Sequence, residues 1–216
     1  MKRILFLALS LILLSCNSLH SAAPETIDLV KPDKSRGSSV LKAMNDRESL
    51  REYAPEKIND QDLSDLLWAA NGINRPESGK RTAPSAMNKQ EIDLYVVFPE
   101  GTYLYQPQSH SLKLIAKGDH RNLVAGGQEF VKTAPLSIVM VADLSKFGNI
   151  PDDHAQLAGS LDAGIVSQNI NLFCSSIGLA TVPRITMDIP GLKKILNLSD
   201  NQKPMINNPI GYPKNK

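Results

Sequence analysis

The chain has 216 residues with Lys+Arg 24 against Asp+Glu 22, a length that suits one domain and crowds two. Two of those cations, Lys2 and Arg3, precede the apolar run 4–14 in the pattern of an export signal, and the sequence without residues 1–15 holds 22 cations and 22 acids. That balance lacks the basic footprint of a nucleic-acid binder; scattered His20, His110, His120 and His154 offer no zinc spacing, and Cys16 and Cys174 cannot make a disulfide framework.

The run 4–14 is too short to span about 30 Å of hydrocarbon, so it reads as a cleaved signal peptide. Leu13-Leu14-Ser15-Cys16 resembles a bacterial lipobox, which implies lipid on Cys16 and a protein anchored in the cell envelope, on the periplasmic side or at the surface. Ordinary cleavage near Ser21-Ala22-Ala23 is the rival, with Pro24 unfavourable after the cut. Residues 16–37 are polar, carry Pro24, Pro32 and Gly37, and show no apolar period, the signature of a flexible tether ahead of a domain over 38–216.

Ser38 or Ser39 caps a short helix through Val40, Leu41 and Met44. Asn59 precedes Asp60-Gln61-Asp62, and Leu63, Leu66, Leu67 and Ala70 follow at helical spacing up to Asn71-Gly72, with Trp68 as a core residue. Residues 73–83 read as a polar loop. Strands are expected over 92–98, 102–105 and 112–115, a helix weakened by Gly126-Gly127 over 122–131, and a strand buried on both faces over 136–141. The longest element runs from about Asp153 to Ile177. Leu157, Leu161, Ile165, Leu172 and Phe173 form its apolar stripe, Cys174 is an inert core thiol, and Gly178 is its stop. A helix over 191–198 and a strand over 205–210 complete an α+β order that excludes a regular βαβ repeat.

Arg47-Glu48-Ser49-Leu50-Arg51 sets two guanidiniums on one side of a helix or a strand, with a hydroxyl between them. Their planar forks suit a phosphate, although a solvated helix end would look the same. Thr82-Ala83-Pro84-Ser85-Ala86-Met87-Asn88-Lys89-Gln90 brings hydroxyls and amides together on a proline turn, which read alone is ordinary loop chemistry.

In this order, the two segments resemble the nitroreductase-like family of flavoproteins. Leu66-Leu67-Trp68-Ala69-Ala70-Asn71-Gly72 lies between them as that family's helix does. Gly101-Thr102-Tyr103-Leu104-Tyr105, Ala134-Pro135, Ala163-Gly164 ahead of Gln168-Asn169, Ser176–Thr181 and Pro209-Ile210-Gly211-Tyr212-Pro213 extend the resemblance over residues 38–213. The tyrosine-containing hairpin is most similar to the branch with thiazole/oxazole-forming dehydrogenases. The resemblance implies an α+β fold with a central, mostly antiparallel sheet flanked by helices, a long central helix, and a homodimer with FMN at its interface.

Carried over by residue, it implies that Arg47, Ser49 and Arg51 hold the FMN phosphate. Pro84, Ser85 and Asn88 would contact the isoalloxazine from the partner subunit. The segment 182–188 would offer a backbone N–H to flavin N5, with Ile185 and Thr186 standing where many members have Glu-Gly. Lys214 or Lys216 either replaces basic residues that members carry further on or lies free, and Asn207-Asn208 replaces an apolar strand segment, so these amides need partners if buried. No acid, base or nucleophile stands out, which suits chemistry carried by a flavin. The expectation is an FMN-dependent, two-electron, ping-pong oxidoreductase with a small organic substrate and an electron donor that the sequence does not name. NAD(P)H is scarce outside the inner membrane, so either another donor or operation as an oxidase-like dehydrogenase is expected. The alternative is a lipid-anchored binding module that keeps the fold without catalysis.

Overall fold

The computed structural model describes residues 23–214; the signal peptide, Cys16 and Lys216 lie outside the described residues. Six helices are α1 (Val40–Asp46), α2 (Asp60–Asn71), α3 (Arg121–Ala125), α4 (Phe130–Thr133), α5 (Asp152–Ile177) and α6 (Ile189–Ile195). The strands are β1 (Thr26–Asp28), β2 (Ile73–Arg75), β3 (Lys80–Arg81), β4 (Ile92–Val97), β5 (Gly101–Gln106), β6 (Ser111–Lys117), β7 (Leu136–Asp143), β8 (Ala180–Thr181) and β9 (Gln202–Gly211).

Local chemistry starts and stops the helices where the sequence signals lie. The Ser39 hydroxyl accepts the Lys42 N–H ahead of α1, and the Asn59 side chain accepts the Asp62 N–H ahead of α2. Gly178 ends α5 at φ +80°, a left-handed conformation that glycine adopts without a Cβ penalty.

The main sheet has the order β1-β6-β5-β4-β7-β9-β8, with every neighbouring pair antiparallel. Its centre is covered twice. Leu94 and Val96 of β4 and Ile138 and Met140 of β7 pack with Leu66 and Leu67 of α2 and Val166 and Ile170 of α5. The alternate residues Tyr95, Val97, Val139 and Val141 meet Val124, Val131 and Leu192 on the opposite side. Two covered faces explain the unbroken apolar run of β7.

Four expectations change. Residues 26–28, inside the stretch expected as a tether, pair with β6 through Ile27 opposite Leu112, because β6 would otherwise present an open sheet edge. The expected loop over 73–83 contains the two-stranded β2–β3 hairpin. The expected helix over 122–131 is split into α3 and α4, since Gly126 (φ +55°) and Gly127 (φ +90°) both turn left-handed. The stripe Leu157–Leu161–Ile165 of α5 is not its core face: Leu157 and Leu161 are each 60% exposed. Ala155, Gly159, Ala163, Val166, Ile170 and Cys174 face inward instead. Small residues let the helix approach the sheet, and a Cβ on Gly159 would stand 3.0 Å from the Ala142 Cβ.

Candidate functional site

The first segment leaves α1 in extended backbone. The Leu50 N–H donates to Thr181 O of β8 (3.1 Å), and Leu50 packs with Tyr53, Ala134 and Ala180. The Tyr53 hydroxyl donates back to Leu50 O (3.1 Å). Leu50 and Tyr53 thus anchor the segment while Arg47, Ser49 and Arg51, at alternate positions, remain exposed. Neither arginine forms an ion pair among the described residues, so their charge is uncommitted. The C-terminal segment closes alongside: the Lys214 N–H donates to Glu52 O (3.3 Å), which brings Lys214 beside the arginines.

The segment 182–188 is held by Arg184, a residue that sequence reasoning left without a role. Its guanidinium is buried and uses all five N–H groups. They reach Gln128 Oε1 (2.9 Å), Val124 O (3.2 Å), Asn207 Oδ1 (2.7 Å), Ala125 O (2.9 Å) and Thr186 O (3.0 Å). Phe130 faces the cation at 5.5 Å. Burial, without a carboxylate among these partners, lowers the Arg184 pKa. Asn207, fully buried, exchanges both backbone bonds with Arg184 (2.8 and 2.7 Å) and donates its amide to Arg184 O (3.0 Å) and Thr186 O (3.2 Å). Asn208 accepts from Ser167 Oγ (2.7 Å) and donates to Asn171 Oδ1 (3.0 Å) and Thr181 Oγ1 (3.2 Å). The amide pair is therefore satisfied, and it was the available sequence signal for this network. On the clamped loop Ile185 is 76% exposed. The Ile185 and Thr186 N–H groups have no protein acceptor among the described residues.

The third segment stands apart. Met87 (φ +51°), Asn88 (φ +53°) and Gln90 (φ +50°) are left-handed without being glycine, a concentration of backbone strain. Among the bonds that hold it, Ser85 Oγ accepts the Gln90 N–H (2.8 Å), Gln90 Nε2 donates to Gly79 O (3.2 Å), and the Ala86 N–H donates to Asp162 Oδ2 (2.7 Å). Pro84 and Asn88 are exposed and Ser85 is half-buried. One chain does not unite this loop with the other two segments. It touches α5 at Asp162, whereas Leu50 docks on β8 just past Gly178, and sixteen helical residues separate those points by about 24 Å.

Behind the loop lies a buried carboxyl pair. Glu91 is fully buried, and neither of its carboxyl oxygens has a hydrogen-bond partner within 3.5 Å. Burial first, and the neighbouring Asp162 carboxyl second, push its pKa up to about 7, against a weaker pull from Lys146. Arg81 lies near enough to feel its charge. The Ala86 N–H points at Asp162, so the proton belongs on Glu91. The folded chain therefore binds a proton more tightly than the unfolded one. The contribution is complete below pH about 4.5 and is lost as pH rises through about 7. Stability should fall across that window by about 1–3 kcal/mol, and Glu91→Gln, which keeps the neutral shape, should flatten the fall. Urea denaturation of both proteins from pH 4 to 8 measures this; parallel curves would refute it.

Chemistry elsewhere is sparse. Cys174 is buried, and burial raises its pKa, which leaves an inert thiol. Tyr103 and Tyr105 are core residues, His154 is exposed in the first turn of α5, and the described residues hold no cluster of ligands for a metal.

Comparison with known proteins accords with this geometry. The sequence profile of the Nitroreductase family matches residues 44–212. A Methanocaldococcus jannaschii protein whose name places it among the nitroreductases is 29% identical over 174 residues, 76% of this chain and 86% of that protein. The FMN reductase [NAD(P)H] of Bacillus subtilis is 24% identical over 190 residues, 82% of this chain and 66% of its own length. A Ralstonia eutropha crystal structure, also named for the nitroreductases, superposes with TM-score 0.84 at 34% identity, covering 89% of this chain and 91% of that one. The uncommitted arginines, the clamped loop with free N–H groups and the seven-stranded sheet are thus features of a member of the nitroreductase family.

Proposed function

We propose that this chain is an FMN-dependent two-electron oxidoreductase that works as a homodimer on a small organic substrate. The observation that carries the reading is the pair of unused N–H groups at Ile185 and Thr186, fixed by Arg184 on an exposed loop. The residues present fit the cofactor. Arg47, Ser49 and Arg51 offer two unpaired cations and a hydroxyl for a phosphate, with Lys214 alongside. The Ile185 or Thr186 N–H is a donor for flavin N5, and a main-chain donor does not depend on the side chain that carries it. When bound, FMN supplies reversible hydride exchange, and the protein supplies position and electrostatics.

Two copies account for the separated third segment. A two-fold axis crossing α5 near residue 170 would set Asp162 of one helix beside the Gly178 end of its partner. The loop over 84–90 of one subunit would then face residues 47–51 and 182–188 of the other. Exposed Leu157 and Leu161 on α5, with exposed Leu41 and Met44 on α1, supply the apolar surface for that contact. Export with lipid on Cys16 remains part of the proposal, together with kinship to the thiazole/oxazole-forming branch and either a donor other than NAD(P)H or operation as an oxidase-like dehydrogenase.

The purified protein should be yellow, dimeric, and release FMN on denaturation. Leu161→Asp should yield a folded monomer that has lost its flavin, read by sedimentation and absorbance together. A colourless wild-type dimer that refuses added FMN would favour the non-catalytic binding module. A monomeric variant with full flavin content would sink the interface site.

A further inference from the structure

Part of the N-terminal stretch forms a strap across α2. The Ser64 hydroxyl donates to Val30 O, Gln61 Nε2 to Lys31 O (3.1 Å), and the Asp33 N–H to Asp65 Oδ1 (2.7 Å). Arg36 bridges Asp65 (2.7 Å) and Asp62 (2.5 Å), two buried carboxylates of α2. This fastening fixes the backbone on both sides of Lys31 and Lys34. Neither lysine forms an ion pair among the described residues.

The strap forms one wall of a cavity of about 520 Å³ whose other walls include Trp68, Ile73, Pro76 and His110. The indole is fixed by its N–H, which donates to Ile73 O (3.0 Å), and the Lys34 ammonium lies 4.9 Å from the ring centroid. His110 is spent internally. Ser64 donates to Val30 O and so accepts from His110 Nε2 (2.7 Å), which leaves Nδ1 to accept from the Tyr105 hydroxyl (2.9 Å). Burial lowers the His110 pKa, so this wall is neutral. No carboxylate lines the cavity, and none of Arg47, Ser49, Arg51, Ile185 or Thr186 reaches it.

An apolar slot with one fixed indole, two unpaired ammoniums and no acid selects a ligand that is flat, aromatic and negative. A small inorganic anion would leave the proline, isoleucine and indole surfaces wet, and a neutral aromatic would leave both cations without a counter-charge. We propose that this cavity binds a planar aromatic carboxylate, its ring against Trp68 and its carboxylate met by Lys31 and Lys34. The site is separate from the residues assigned to the flavin, and its argument does not rest on them.

Calorimetric titration of the purified full chain with 2-naphthoate tests this, with 2-naphthamide as the neutral control. Trp68 is the only tryptophan, so the single indole N–H resonance reports on the cavity directly. Naphthoate should bind once per chain and move that resonance. Lys31→Ala with Lys34→Ala, both at exposed positions, should weaken binding about tenfold, and the amide should bind wild type weakly by a similar factor. Equal binding by wild type and the double variant, equal binding of acid and amide, an unmoved indole resonance, or no binding by wild type would each overturn the proposal.

Discussion

Replacing Arg47 and Arg51 together by alanine should strip the protein of FMN while leaving it folded and dimeric. Both side chains are exposed and free of ion pairs, and the segment is anchored by Leu50 and Tyr53, so removing the guanidiniums deletes little that holds the fold. A charge-assisted hydrogen bond contributes about 1.5–3 kcal/mol, and losing one from each arginine weakens a phosphate by a factor of about 10²–10⁴. The flavin-to-protein absorbance ratio after gel filtration measures the loss. An unchanged ratio would mean that the phosphate lies elsewhere.

Arg184→Ala should damage both the fold and the cofactor. The substitution leaves the carbonyls of Val124, Ala125 and Thr186 and the amide oxygen of Asn207 without their guanidinium donor, in the buried junction between the 182–188 loop and β9. Breaking a buried charged network of this kind costs about 3–5 kcal/mol. Because the same bonds orient the Ile185 and Thr186 N–H groups, flavin affinity should fall in step. Arg184→Lys keeps the charge but offers fewer donors in a different geometry, so it should recover only part of the loss. Urea denaturation and flavin content of the two variants measure these effects. A stability within about 1 kcal/mol of wild type for Arg184→Ala would contradict this account.

What the sequence made legible was local. Ser39 and Asn59 cap their helices through their own side chains, Gly178 must turn left-handed, and the run at 136–141 can be buried on both faces only in the centre of a sheet. The missed features depend on distant partners. A three-residue strand such as β1 carries almost no signal until β6 presents an edge, and the strap is defined by Asp62 and Asp65, some thirty residues away. The stripe of α5 misled for the opposite reason: apolar spacing announces a buried face but does not say whether the cover comes from the same chain. At the site, the arginine pair and the proline–serine loop were visible as motifs. The separation between them along α5 was not, and that separation is what the proposed second subunit would bridge. Arg184 looked like any loop cation, and only the neighbouring asparagines hinted that something polar was buried beside them.

If Cys16 carries the proposed lipid, the docking of residues 26–36 would also set how far the enzyme could stray. With a lipid on Cys16, only the nine residues 17–25 separate the anchor from the first paired strand, a leash of about 30 Å at full stretch. A long tether would let the domain sample the aqueous compartment, whereas one this short would, with the lipid attached, confine it to roughly its own diameter from the bilayer. Reactants that partition into the membrane surface would then meet it more often than those in bulk water.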